Sequence, residues 1–368
     1  MGKILIDLSY VRTKPYAGVA KYAYRIIDYI IASGKTDQYA ILLDVVSENI
    51  IKALYPQLES HTIGSRLVSK IPVFRTLWLM FAFKFFVNRS NYDLIFCPWG
   101  NEITCLKVNK KKISVIHDLQ LRLDTDGLAL KIYKAIDDLV IKNSDRIVTI
   151  SEFSKKQIKS FYPALQEDEL ISLGNSVSVL EANGGRVISE PYILYVGRIC
   201  KMKNVITLVK AFSLIKNKLA KIKLVIVGKK NQYWLDVVEP IIKGEKLDDR
   251  IVIIENCSET ELTLLYRYAT IFVFPSLREG FGSPPIEAAI ECTPVISTTC
   301  DSLEEVLMGK VYTYNNPMDH EELADKILYV VNNMPLKEEL VAIKETYLSS
   351  YSINVIGKRV CNYLEEMA

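Results

Sequence analysis

Short β-rich apolar runs alternate with helix-patterned segments along almost the whole chain. That alternation permits little besides parallel sheets with helices packed on their faces. In the first half the strand-like runs are KILIDL (3–8), YAILLD (39–44), DLIF (93–96), ISVIHD (113–118) and RIVTIS (146–151). Between the first two, Val19, Tyr22, Ala23, Ile26, Ile27 and Ile30 recur at helical spacing and Gly34 follows as a stop, which predicts a helix. The pattern restarts after EANGGRVISEP (181–191), a Gly- and Pro-punctuated stretch suited to a linker. It continues with YILYVG (192–197), KLVIVG (223–228), IVII (251–254), IFVFPS (271–276) and PVIST (294–298), and Ser258 and Glu261 make a capping box before one of its helices. With 368 residues, long for a single hydrophobic core, the expectation is an α/β protein of two Rossmann-like, doubly wound parallel-sheet domains facing a cleft. The expected domains are 1–180 and 181–350, followed by a terminal helix over 351–368 in which Ile356, Val360, Tyr363 and Leu364 keep helical spacing.

Composition narrows the function. A net charge of +3 is too mild for a polyanion-binding surface, so no nucleic-acid partner is expected. The seven cysteines are scattered and never form CxxC, and there are three histidines, which argues for reduced thiols and against a disulfide frame or a protein-built metal centre. The start, MGKILIDLSY, has an aspartate inside its apolar run and no small-residue cleavage site, so it reads as a first strand and the chain as cytoplasmic. The most apolar segment, Val73 to Val87, is interrupted by Arg75 and Lys84 and is too short to span a bilayer. Two readings fit it: a buried helix, or one lying on a membrane with Arg75, Lys84 and Arg89 near the head groups.

The stretch FVFPSLREGFGSPPIEAAIECTPVIST (272–298) carries the strongest chemical signal. Pro284 and Pro285 can open a helix, because the first helical positions need no N–H partner. Gly280 and Gly282 then occupy the turn between strand end and helix start, where a ligand can approach the backbone and the helix N-terminus favours negative charge. Glu279 is placed just before that turn and Glu287 in the first helical turn, both at one cleft mouth. Carboxylates accept hydrogen bonds from hydroxyls, so a ligand with sugars flanking a diphosphate satisfies the arrangement: a nucleotide-sugar. A plain strand-to-helix turn with one solvated and one dipole-facing glutamate is the alternative. YVGRICKMKN (195–204) adds Gly197 at a strand end and the cations Arg198 and Lys203 before the next helix, a combination able to hold a diphosphate.

With these residues the chain resembles the retaining glycosyltransferases of the GT-B fold, in the large group called glycosyltransferase family 4, and among them the bacterial mannosyltransferases of O-antigen and capsule assembly. The likeness rests on E-G-F-G-S-P-P-I-E (279–287), an E-x7-E pattern, followed by A-A-I-E-C-T-P-V-I, and on the G-R-x4-K-N form of Gly197 to Asn204. It implies that Glu279 and His117 lie beside the donor sugar or the reacting centre, that Glu287 bonds the ribose, and that Arg198 and Lys203 bind the diphosphate. Gly197, Gly280, Phe281 and Gly282 are then donor-binding, as is Gly18 in the turn Ala17-Gly18-Val19, where many members have two glycines and this chain has one. Ser151-Glu152-Phe153-Ser154-Lys155 resembles the family's S-x-x-S-K turn, a helix cap, and Asn175-Ser176-Val177 its segment before the interdomain crossing.

The reaction so implied is metal-independent transfer of a hexose, with retention, from a nucleotide-diphosphate sugar to a glycan or polyprenyl-diphosphate-linked acceptor. No cofactor is expected. GDP-mannose is the favoured donor and a UDP-sugar such as UDP-glucose the alternative. In this family basic-apolar helices of the first domain often dock on the inner face of the cytoplasmic membrane, which favours the peripheral reading for residues 73–89. A glycoside hydrolase also uses two carboxylates but leaves the cationic site unexplained. A nucleotide-sugar-binding scaffold without turnover is the rival from another class.

Overall fold

The computed structural model describes residues 2–11, 18–119, 127–177 and 182–368. The chain divides into two compact units, Met1–Ser176 with Ile353–Ala368, and Val177–Ser352. The passage between them thus falls inside Asn175-Ser176-Val177, ahead of the Gly-rich stretch at 181–191.

The first unit is built on seven parallel strands: β1 (Ile4–Leu8), β2 (Tyr39–Asp44), β3 (Glu59–Ile63), β4 (Leu94–Cys97), β5 (Lys111–Ile116), β6 (Arg146–Thr149) and β7 (Leu170–Ser172). Their order is β3-β2-β1-β4-β5-β6-β7, with Ile6 opposite Ile41 on one side and Phe96 on the other. Strand order therefore reverses between β1 and β4. Crossovers need helices, and the first of these spans Val19–Ala32, burying Tyr22, Ala23, Ile26, Ile27 and Ile30. The chain's last helix, Ile353–Met367, lies against it so closely that a Cβ on Gly357 would meet the Tyr29 Cβ at 2.6 Å. Ile356, Val360 and Leu364 are buried there, and Glu365 takes the Lys35 ammonium at 2.7 Å and the Tyr39 hydroxyl at 3.0 Å.

The apolar segment forms the helix Pro72–Arg89, which is neither wholly buried nor wholly superficial. Arg75, Leu79, Phe83 and Val87 repeat every fourth residue and point inward, joining Leu5, Ala40, Leu42 and Ile95 in a core. Arg75 is thus not near any head group. Its guanidinium is buried and bonds Asp44 at the end of β2, with Nε 2.8 Å from Oδ2, a carboxylate partner that makes the cation tolerable at that depth.

The second unit has six parallel strands: β8 (Tyr192–Val196), β9 (Lys223–Val227), β10 (Ile251–Ile254), β11 (Ile271–Phe274), β12 (Val295–Ser297) and β13 (Tyr312–Thr313). They are ordered β10-β9-β8-β11-β12-β13, so the reversal lies between β8 and β11. Helices Val205–Ile215 and His320–Asn332 contribute Leu208, Phe212, Leu323 and Ile327 to a core shared with Tyr195, Ile226 and Val273. Burial on both faces explains why these strands read as unbroken apolar runs. The Ser258 capping box closes as its spacing predicts, with Glu261 bonding the Ser258 amide at 2.7 Å. β5 falls short of its sequence run, stopping at Ile116 and leaving His117 and Asp118 just beyond it.

Candidate active site

In an open parallel sheet, ligands bind where strand order reverses, beyond the carboxyl ends of the two strands concerned. In the second unit these are β8 and β11. After β8 the chain makes a 3-10 turn over Lys201–Lys203 and enters the helix Val205–Ile215 through Asn204, held left-handed at φ 52°. After β11 it runs from Pro275 to Gly282 and enters the helix Ser283–Ile290 with Pro284 and Pro285 in the first turn, as their chemistry predicts. The two segments are joined by backbone. The Leu277 amide donates to the Met202 carbonyl at 2.8 Å, and Asn204 Nδ2 donates to the carbonyls of Pro275 at 3.1 Å and Pro317 at 2.7 Å.

That seam brings Lys203 and Glu279 together, with Nζ 2.5 Å from Oε1 and their side chains only 11% and 9% exposed. Glu279 is fixed from behind as well. Its carbonyl accepts from Ser302 Oγ at 2.9 Å, and its amide donates to Asp301 at 3.3 Å. Gly282 is required by conformation and by space, since its φ is +84° and a Cβ there would stand 2.4 Å from Leu303 Cδ2.

The other residues singled out in this unit are placed more diversely. The Gly197 amide donates to Val227 at 3.0 Å, and a Cβ on Gly197 would crowd the Tyr195 hydroxyl at 3.0 Å. That hydroxyl donates to the Arg198 carbonyl at 3.0 Å, while the Arg198 side chain is exposed. Gly280 is buried. Phe281 is buried with its ring edge-on to Tyr351 at 5.3 Å, so a ligand contact there falls to its main chain. Glu287 stands at the fifth position of its helix, one residue beyond the first turn expected for it, because the helix begins at Ser283. It accepts from the hydroxyl of Tyr266, in the helix Glu259–Tyr268, at 3.2 Å. Burial, and then the Glu287 charge, push that phenol well above its ordinary range.

In the first unit, His117 sits past the end of β5 with Nε2 2.8 Å from the Pro98 carbonyl, which follows β4 at the strand-order reversal. A carbonyl can only accept, so Nε2 carries the proton and Nδ1 of the neutral ring is an acceptor. Burial pushes the imidazole below its ordinary 6.5, against the pull of the Pro98 bond and Asp118. The His117 carbonyl accepts from Ser154 Oγ at 3.1 Å, and Ser151 caps the helix Glu152–Phe161 by accepting from the Ser154 amide at 3.1 Å. Gly18 precedes its helix at φ 55°, ψ −120°, a conformation that favours glycine; Ala17 lies outside the described residues.

Sequence reasoning passed over Asn204, Ser302, Tyr266 and Asp7. Asn204 had a visible signal, as the last letter of G-R-x4-K-N. Asp7, an acid in the fully buried run ILIDL, had one too. Its Oδ1 accepts from the Ser9 amide at 3.1 Å and the Ser9 hydroxyl at 2.6 Å, and burial pushes its carboxyl up to about 6.

The family of glycosyl transferases group 1 matches residues 181–346, the segment that holds both joined turns. The chain carries a glycosyltransferase group 1 domain. The glycosyltransferase is 27% identical over 316 residues to the O-antigen chain mannosyltransferase RfbU of Salmonella typhimurium, covering 84% of each chain. A glycosyltransferase from Rickettsia africae matches its fold with a TM-score of 0.75 at 20% identity, over 100% of this chain and 98% of that one. The Anabaena protein Alr3699/HepE, solved with UDP and glucose, matches with a TM-score of 0.73 at 13% identity over 100% of both. The fold is GT-B, two parallel-sheet α/β units.

Proposed function

We propose that the glycosyltransferase moves a hexose, mannose from GDP-mannose, onto a glycan or polyprenyl-diphosphate-linked acceptor in the assembly of a bacterial surface polysaccharide. The observation that carries it is the Lys203–Glu279 pair at the reversal of the second sheet, where a cation and a carboxylate stand side by side within the group 1 domain. A nucleotide-sugar needs that combination, a cation for its diphosphate and a carboxylate for its hydroxyls. Mannose is favoured by the likeness to RfbU, an O-antigen chain mannosyltransferase, and its guanosine carrier by the motif resemblance to O-antigen and capsule mannosyltransferases. A UDP-sugar is the second reading, favoured by the likeness in fold to a protein solved with UDP and glucose.

In this reading the second unit binds the donor and the first the acceptor. Glu279 bonds sugar hydroxyls and Glu287 the ribose. Arg198, Lys203 and the main chain of Gly197 and of Gly280 to Gly282 face the diphosphate. Gly18 lets a phosphate approach from the first unit, and His117 offers Nδ1 to a sugar hydroxyl. The bond between the anomeric carbon and the diphosphate oxygen breaks, and both electrons leave with the nucleoside diphosphate. The acceptor oxygen attacks from that same face, which retains configuration, and passes its proton to a phosphate oxygen. Stabilising the leaving group is the main electrostatic task, and preorganised cations perform it without a metal.

Release of nucleoside diphosphate across GDP-mannose, GDP-fucose and the common UDP- and dTDP-sugars tests this, with Glu287→Ala and EDTA as controls. Slow hydrolysis of one donor, lost in the variant and indifferent to EDTA, is the expected result. Absence of both turnover and donor-induced thermal shift across the panel would overturn the proposal; binding of one donor without turnover means that the acceptor is missing, and the assay is then repeated with a glycan acceptor.

A further inference from the structure

We propose that Trp99, Tyr10 and Asp7 form a subsite in the first unit for a neutral sugar residue, so that the group this enzyme glycosylates is the end of a glycan and not a phosphate. The inference rests on the proposed transfer and adds to it the class of acceptor and the side chains that read it. Asp7 is the fourth residue of β1, and Tyr10 and Trp99 follow β1 and β4, the two strands between which the order of the first sheet reverses.

Trp99 is half-buried on a loop held by its backbone. The Gly100 amide donates to the Val115 carbonyl at 2.8 Å, Asn101 Nδ2 donates to the Trp99 carbonyl at 3.0 Å, and Asn101 Oδ1 accepts from the Ile103 amide at 2.8 Å. A Cβ on Gly100 would stand 2.6 Å from Val140 Cγ1, so the loop packs closely on the helix Gly127–Lys142. The Tyr10 ring meets the indole edge-on, with centroids 5.2 Å apart, and props it. An indole fixed in this way suits the C–H face of a pyranose ring.

Beside the rings, polar oxygens lack partners. Ser9 takes only Oδ1 of Asp7, through its amide and its hydroxyl. Oδ2 is buried without a hydrogen-bond partner, and so are the hydroxyls of Tyr10 and Tyr24. Burial, then the Asp7 charge and Tyr24, push the Tyr10 phenol well above its ordinary range, which places the three oxygens within one another's fields. Each such atom costs the fold stability. A ligand rich in hydroxyls offsets that cost, directly or through an ordered water that these oxygens can hold. Charge then selects the acceptor. Lys112, on β5, gives its ammonium to the carbonyls of Thr104 and Leu106 at 2.7 and 2.9 Å and leaves Asp7 unneutralised. A phosphate brought here meets like charge, whereas a sugar hydroxyl meets an acceptor. An earlier glycosyl transfer must therefore have placed the sugar that this enzyme extends.

The test is saturation-transfer difference NMR on the full chain without nucleotide-sugar, using the methyl α- and β-glycosides of mannose, galactose, glucose and N-acetylglucosamine, with farnesyl phosphate as charged competitor. The expected result is saturation of at least one glycoside, strongest at its ring C–H protons, that farnesyl phosphate does not displace. Trp99→Ala weakens that binding at least about tenfold. Asp7→Asn, which keeps one acceptor oxygen and removes the charge, weakens it about fivefold. Asp7→Asn also removes a buried uncompensated charge and folds at least as firmly as wild type, so its weaker binding reports recognition and not damage. Circular dichroism confirms the fold of Trp99→Ala. Saturation of no glycoside, displacement by farnesyl phosphate, or unchanged affinity in either variant overturns the proposal. The readout needs no donor, so donor turnover without glycoside binding removes the subsite alone, and glycoside binding without donor turnover sinks the transfer and keeps the subsite.

Discussion

The two sheets end differently where their strand order reverses. In the second unit the turns after β8 and β11 are tied by the Met202, Pro275 and Pro317 carbonyls, and opposite charges meet in the Lys203–Glu279 pair. In the first unit the Asp7 carboxylate at the end of β1 has Ser9 alone as its hydrogen-bond donor among the described residues, and the nearby aromatic contacts are Tyr10 on Trp99 and Tyr22 on His117. The second unit has compensated its buried charge; the first has left one nearly uncompensated. Compensation suits a ligand of fixed charge such as a diphosphate. An aromatic-walled end suits a neutral, variable one such as a glycan.

The strongest way to break this comparison is Lys203→Ala. It strands Glu279 without its cation, and we expect a loss of about 3 kcal/mol in denaturant unfolding. Donor hydrolysis falls on the order of a thousandfold. Adding Glu279→Gln restores most of the stability and none of the turnover. Recovery of turnover in that double variant would show that the pair serves only to hold the fold.

Asp7→Asn probes the opposite case. Because burial raises the folded carboxyl from 3.8 to about 6, the folded state holds the extra proton between those values and the wild type loses stability as pH rises through them. The variant is therefore more stable than wild type at pH 7 by about 2 kcal/mol, and the gain vanishes below about pH 4. Urea titrations at both pH values check it, and a variant of equal stability at both would mean that Asp7 is compensated after all.

Those two acids show how unevenly the sequence could be read. YAILLD and IVII match β2 and β10 residue for residue, because their apolar runs are bounded by polar or turn residues. Glu59–Ile63 escaped notice because ESHTI is a half-exposed edge strand with a polar face, and Tyr312–Thr313 because two residues carry no period. The glycines and prolines of 279–287 were legible as the turn from strand to helix. What no local pattern could supply were pairings across distance: Lys203 with Glu279, Asn204 with Pro275 and Pro317, Tyr266 with Glu287. Arg75 was misplaced for the same reason, its partner Asp44 lying on another element.

Smaller effects sharpen the contrast. Asn204→Ala removes three side-chain bonds, with Pro275, Pro317 and Thr207, and puts alanine at φ 52°, which asparagine tolerates better, so we expect about 2 kcal/mol of destabilisation and a raised KM for the donor with kcat largely kept. Asn204→Gly tolerates the backbone and isolates the bonds. The smallest effect belongs to His117. Burial lowers its proton affinity, so any His117 limb of kcat/KM falls below the ordinary 6.5 of an imidazole. A limb below that value, lost in His117→Gln, would assign it a proton-transfer role.

The return of the helix Ile353–Met367 to the first unit also orders events in time. A ribosome releases residues 1–176, then the whole of 177–352, before the helix that covers Tyr29 emerges. The first unit's nascent chain must wait through the synthesis of its neighbour with the Val19–Ala32 helix bare on that side, while the second unit can close as soon as its own residues are out. The birth order of the two units is thus reversed at completion: the half begun first is the half finished last.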